Sequence, residues 1–276
     1  MTAFVNNAKT VALMGLLTGL LLAAGAMLGQ QFIFPFFIIS VLMNFGAWFF
    51  SDTIAIKAMR GRELDAQSGG DLYRMVDRLR QQAGLPMPRV YLCPHQAPNA
   101  FATGRSPRKA AVAFTQGAID LLSPEELEGV AAHELAHIKN RDTLTSTVAA
   151  TIAGMLAFLA QWWFFLGGNR EGGNPLIAFV GLIVAALGAA IIKAMVSRSR
   201  EFVADADGAK IAGSPHGLVS ALRKLEAYSR RIPLHNPNPA ANNLFIIEPL
   251  TGSRTLVNLF ASHPPTEKRV EALLRG

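Results

Sequence analysis

Cysteine is all but missing: Cys93 is the only one in 276 residues. No disulfide can close within the chain, which excludes a disulfide-stapled scaffold and suits a reducing compartment. Cys93 itself ends the apolar run Val90-Tyr91-Leu92-Cys93 and reads as a packed strand residue. Charge is scarce as well. Charged residues make up 16% of the chain against 51% hydrophobic, and mean hydropathy is +0.29. That is too apolar for an ordinary soluble domain and points to membrane spans. Negative charge is the scarcer sign, with 19 acidic residues against 26 basic ones and a net charge of +7. No G-x-x-x-x-G-K-[ST] loop is present, so no ATP-driven step is expected. No nucleic-acid-binding motif is present either. The basic balance is therefore assigned to loops beside a membrane, where Lys and Arg gather on the cytoplasmic side.

Four apolar runs carry that reading. Residues 11–28 and 32–50 are joined by the short Gly29-Gln30-Gln31 connection. Residues 144–166 and 175–196 flank a polar loop at 167–174. Each is close to the ~20 residues that a helix needs to cross a bilayer. The first run could be a signal peptide cleaved near Ala24-Gly25-Ala26, but only Lys9 precedes it and a second span follows at once. Trp48-Phe49-Phe50 and Trp162-Trp163 suit an interfacial aromatic belt. The expected division is a membrane hairpin over 1–50, a first soluble part over 51–142, a second hairpin over 143–196 and a second soluble part over 197–276. The soluble parts hold twelve and eleven Lys+Arg, while the opposite loops, 29–31 and 167–174, hold only Arg170. Both soluble parts are thus expected on the cytoplasmic face. The predicted fold class is an α-helical membrane protein with four transmembrane helices and a mainly α soluble domain carrying a small β-sheet (α+β).

The chemistry-bearing stretch is His133-Glu134-Leu135-Ala136-His137. Residues four apart share a helix face, so both imidazoles can address one point, as two ligands of a tetrahedral Zn²⁺ would. Glu134 then stands where a general base could take a proton from a water beside the metal. Two surface histidines on a solvated helix would show the same letters. Context argues otherwise, because Ser123, Pro124 and Glu126 form a capping signal, and Leu127, Val130, Ala131 and Leu135 recur at core spacing. A third ligand is needed, and Glu201 in Ser199-Arg200-Glu201-Phe202-Val203-Ala204-Asp205 is the candidate. Asp205, one turn on, could accept the second N–H of a ligand histidine. An out-and-back pair of spans between 142 and 201 would return the chain to the same face, so the three ligands could meet. The rival reading of Glu201 is a charged cap on a membrane helix.

Period-2 patterning predicts strands at 89–93, 99–103 and 109–115, and helical spacing predicts a helix over 71–83. Asn99, Ala100, Phe101, Ala102 and Thr103 are expected to form an edge strand that receives an extended substrate, with the two alanines on one face and Phe101 on the other. An interior strand fits the same pattern. His95, His216 and His235 have no comparable context.

These residues together resemble the HtpX family of membrane zinc metalloproteases. The likeness is carried by His133-Glu134-Leu135-Ala136-His137, Glu201 with Asp205, Asn99-Ala100-Phe101-Ala102-Thr103-Gly104, Asn242-Asn243-Leu244-Phe245, and His263-Pro264-Pro265 with Arg269. It implies one zinc per chain in a zincin-like site, with Glu201 as third ligand and Asp205 behind it. It also implies an inner-membrane endopeptidase acting on misfolded or damaged membrane proteins under stress, with room for partnership with other membrane proteases. His263 and Arg269 are candidates to stabilise the oxyanion of the scissile carbonyl, and a reversible extra zinc ligand is the alternative role for His263. The CAAX prenyl endopeptidases share the metal motif but usually have a longer chain with more spans. A non-catalytic adaptor with a structural zinc site is a further alternative, against which the intact Glu134 argues.

Overall fold

The computed structural model describes residues 2–146, 148, 152, 198–231 and 264–275. Helices α1 (Thr2–Leu28) and α2 (Ile33–Ala58) open the chain and pack as a hairpin. Gly29, at φ 128°, makes the reversal between them, a backbone angle that side chains rarely tolerate. The stretches Phe4–Ala26 and Gln30–Phe50 are long and apolar enough to cross a bilayer. Phe34, Leu42 and Phe45 point outward, an arrangement that lipid accepts and water penalises. Most of residues 144–166 and all of 175–196 lie outside the described residues. Leu144, Val148 and Ile152, at a spacing of four, pack on Leu13, Leu17 and Leu21 of α1.

Helix α2 does not end with its apolar stretch. It continues to Ala58, and Ala55 and Ile56 lie under the sheet with Phe101, Ala111 and Ala113. The sheet has strands β1 (Arg62–Leu64), β2 (Arg89–Cys93), β3 (Ala100–Gly104) and β4 (Ala110–Thr115), in the order β1-β2-β4-β3. Strands β2 and β4 are parallel; the other two pairs are antiparallel. Strand β4 is covered on both faces, with Val112 and Phe114 toward the main core and Ala111 and Ala113 toward α2. This explains its unbroken apolar sequence. Cys93 is buried in the α2-facing layer, and burial pushes its thiol up to about 11, as befits a packing residue.

The remaining helices are α3 (Gly70–Ala83), α4 (Gln116–Leu121), α5 (Pro124–Lys139), α6 (Arg198–Ala212), α7 (His216–Arg231) and α8 (Thr266–Arg275). Strand β1 and helix α4 were not expected from the sequence: one is three residues long and the other six, too short for periodicity to declare. Helix α5 lies at the centre, and Leu135 and Phe114 are fully buried around it, each worth about 1.5–3 kcal/mol of burial. Helices α6 and α7 cross it at bare backbone. A Cβ on Gly129 would lie 2.3 Å from Leu218 N, and one on Gly208 would lie 2.9 Å from His133 Cα. The second crossing brings α6 against the motif.

Candidate metal centre

Helix α5 is fixed at its start before it presents any chemistry. Ser123 Oγ accepts the Glu126 N–H at 3.3 Å, and the Glu126 carboxylate accepts the Ser123 N–H at 2.8 Å. Glu126 also accepts from Ser220 at 2.6 Å and from Lys224 at 2.7 Å, so the cap is tied to α7. His133 and His137 follow on one face, and their Nε2 atoms lie 3.1 Å apart. Glu201 faces both across the Gly208 crossing, with Oε2 3.7 Å from His133 Nε2 and Oε1 3.6 Å from His137 Nε2. Among the described residues these three form a group able to hold a metal ion, with one ligand atom from each lying within 4.8 Å of the others.

The donor set fits a cation. His133 Nδ1 lies 3.0 Å from Asp205 Oδ1, and His137 Nδ1 lies 3.3 Å from Asp142 Oδ2. Carboxylates only accept, so these approaches call for a proton on each Nδ1, in a hydrogen bond at His137 and at close range but outside hydrogen-bond geometry at His133, which leaves the Nε2 lone pairs turned toward each other. Two lone pairs at 3.1 Å repel unless a positive charge stands between them. Tetrahedral zinc with Zn–N near 2.0–2.1 Å spaces its ligand atoms by roughly 3.3–3.4 Å, close to the triangle observed. Without a metal a proton must do that work. Burial alone would pull the His137 imidazole down, but Asp142, Glu201 and Glu134 outweigh it and push it up to about 9.

Each carboxylate has its own support. Arg269 of α8 grips Asp205 with a two-pronged fork, Nε to Oδ2 at 2.8 Å and Nη2 to Oδ1 at 2.6 Å, while Nη1 lies 3.6 Å from Glu201 Oε2. Burial would raise the Asp205 carboxyl, yet the Arg269 hydrogen bonds and His133 hold it below the ordinary range. Burial pushes the Glu134 carboxyl up, against the pull of His133 and His137. The Ala102 N–H donates to that carboxylate. Arg269 was expected at the reacting carbonyl. In the structure it pairs with Asp205 and is 1% exposed, since a buried carboxylate needs a paired cation.

Strand β3 is at the edge of the sheet and, among the described residues, pairs only with β4. Its parity is set from several sides. Asn99 O accepts from Thr115 N toward β4, whereas Ala102 N–H turns to Glu134 and Gly104 O accepts from Thr143 Oγ1. Ala100 and Ala102 therefore direct their backbone polar groups away from β4. Phe101 is buried against α2, and Ala100 and Ala102 pack toward α5. Asn99 and Thr103 are buried. His263 lies outside the described residues, as do residues 242–245. Asp142 was not anticipated. It comes under the imidazole through a turn just past His137, where Arg141 takes φ 57°.

With that geometry in place, likeness to known proteins can be read on the site. The sequence profile of Peptidase family M48 matches residues 66–275. A Protease HtpX homolog of Desulforapulum autotrophicum is 46% identical, over 98% of this chain and 90% of that protein. One from Pyrococcus furiosus is also 46% identical, over 96% and 94%. The crystal structure of S. mikatae Ste24p superposes with a TM-score of 0.55 at 17% identity, covering 98% of this chain and 66% of that one. At that identity the likeness is one of fold.

Proposed function

Because the chain belongs to peptidase family M48, we propose that it is a membrane-embedded zinc endopeptidase in which His133, His137 and Glu201 hold the metal and Glu134 is the base. The chain is a metalloprotease by family. The observation that carries it is the convergence of two imidazole nitrogens and a carboxylate on one point, with Glu134 buried beside them.

When bound, zinc would lower the pKa of a water to about 7 and polarise the scissile carbonyl. Glu134 takes the proton of the attacking water and hands it to the leaving amine as the C–N bond breaks. Burial raises its carboxyl above the ordinary range, which strengthens it as a base. Ala102 N–H holds the carboxylate in place. Asp205, clamped by Arg269, orients His133. Substrate lies along residues 99–103 as an added strand, using the outward backbone groups of Ala100 and the carbonyl of Ala102, whose N–H is kept for Glu134. His263 is assigned to the carbonyl oxygen, because it directly precedes Pro264, Pro265 and the helix that bears Arg269.

Helices α1 and α2 anchor the enzyme in the bilayer, and two further spans over 144–166 and 175–196 complete a four-span layout. The Lys and Arg near span ends support a site on the cytoplasmic face of the inner membrane. Without an ATP-driven motor, substrates are already flexible, which suits misfolded or damaged membrane proteins. Detergent-purified protein with zinc should cleave casein, lose activity to a chelator and regain it with zinc. Glu134→Gln should reduce the rate by about 10²–10⁴. Normal cleavage by Glu134→Gln would refute the mechanism.

A further inference from the structure

We propose that Asn6, on the first membrane helix, is a positioning residue for the metal centre, acting through Asp142 on His137. This rests on the reading of His137 as a metal ligand. The link is continuous. Asn6 Nδ2 donates to Asp142 Oδ1 at 2.5 Å, and Asp142 Oδ2 faces His137 Nδ1 at 3.3 Å. The same amide donates to Asn140 O at 3.2 Å. Asn6 thus grips both sides of Arg141, the residue held at φ 57°. A non-glycine residue persists in that region only when its surroundings insist on it. The turn that brings Asp142 under His137 is held by a side chain from α1.

Three further observations support a built arrangement. Asn6 is 1% exposed within the apolar stretch Phe4–Ala26, where an amide needs a partner to be tolerated. Its neighbour one turn on, Thr10, meets Thr145 at 3.0 Å, and Thr145 Oγ1 donates to Asn6 O at 3.1 Å. Arg200, beside Glu201, brings Nη1 to 3.6 Å from Asp142 Oδ1. Asp142 therefore gathers the membrane helix, the motif helix and the third-ligand helix at one carboxylate. Partners behind a ligand histidine set its tautomer and ring orientation, and losing one costs 10–100-fold in metal affinity.

The test is zinc affinity of the detergent-solubilised full chain, by competition with a chromophoric chelator, together with the absorption spectrum of the Co²⁺-loaded protein. Asp142→Ala should weaken zinc binding by about 10–100-fold, and Asn6→Ala by about tenfold, the lower end of that range. Asn6→Asp should weaken it more than Asn6→Ala, since it sets a second negative charge against Asp142. The Co²⁺ bands should shift in each. Asp142→Asn should recover part of the loss, because its amide oxygen still accepts from Nδ1, and it serves if the alanine variants do not fold. Thr10→Val, which removes the hydroxyl contacts to Thr145 and to Asn6 O but leaves the Asn6 amide on Asp142, should bind zinc as the wild type does. Unchanged affinity and spectra in Asn6→Ala and Asp142→Asn would overturn the proposal, and so would an equal loss in Thr10→Val. A wild-type chain that takes up no zinc would instead refute the underlying metal reading.

Discussion

His133 and His137 offer the same nitrogen to the same point, yet they are held from opposite regions of the chain. Behind His133 stands Asp205, fixed by the charged fork of Arg269 from the last helix. Behind His137 stands Asp142, fixed by the neutral amide of Asn6 from the first helix, with Arg200 at 3.6 Å. One side is closed by a two-pronged ion pair among soluble elements. The other leans on a membrane helix. A buried carboxylate clamped by a guanidinium is costly to disturb, whereas an amide on a separate helix is a softer support. The first region holds its imidazole through an ion pair and the second through a neutral amide. The apolar N-terminal hairpin is then a structural part of the proposed centre.

That contrast can be broken or sharpened by substitution. The largest effect is expected from Arg269→Leu, which leaves Asp205 and Glu201 without their buried cation. Removing one partner of such a pair costs about 3–5 kcal/mol, read as a lower midpoint in thermal or urea unfolding. Arg200→Leu on the other side should cost only about 1 kcal/mol. Equal losses would erase the distinction between the two sides. A middle effect is expected from Gly208→Ala, whose Cβ would lie 2.9 Å from His133 Cα. Separating α6 from α5 should cost about 1–3 kcal/mol and weaken zinc binding, because Glu201 moves away with the helix. Chelator competition beside an unfolding curve checks both, and an unaltered affinity would mean that the close crossing does not set the ligand triangle. The smallest effect is expected from Thr145→Val, which removes the hydroxyl contacts to Thr10 and Asn6 and should lower stability by about 0.5–1.5 kcal/mol. A larger loss would show that the docking side is the stiffer of the two.

Much of this geometry is legible in the sequence where period or capping dictates it. A spacing of four puts His133 and His137 on one face, and the Ser123-to-Glu126 box announces the helix that carries them. The same reasoning reaches Asp205, four residues beyond Glu201. It cannot reach Asp142. That residue comes under His137 through a left-handed angle at Arg141, which no apolar pattern encodes, and through an amide 136 residues away in sequence. Arg269 illustrates the opposite difficulty. Its place near the site is suggested by resemblance, but its direction depends on which buried carboxylate most needs a cation. Strand β3 reads as a strand from alternation alone, while its edge position depends on the order β1-β2-β4-β3, a property of the whole sheet. The mainly helical character and the two apolar N-terminal helices are plain in composition. The continuation of α2 under the sheet is not, since Ala55 and Ile56 look like the end of a span until Phe101 and Ala113 are placed against them.

Zinc content per chain, measured by plasma mass spectrometry on purified and dialysed protein, tests the centre most directly. One zinc ion is expected in the wild type and in Glu134→Gln, which keeps all three ligands and removes only the base. His137→Ala and Glu201→Ala should each fall well below one. Full zinc occupancy in both of those variants, or loss of zinc from Glu134→Gln, would contradict a metal held by His133, His137 and Glu201 with Glu134 as its base.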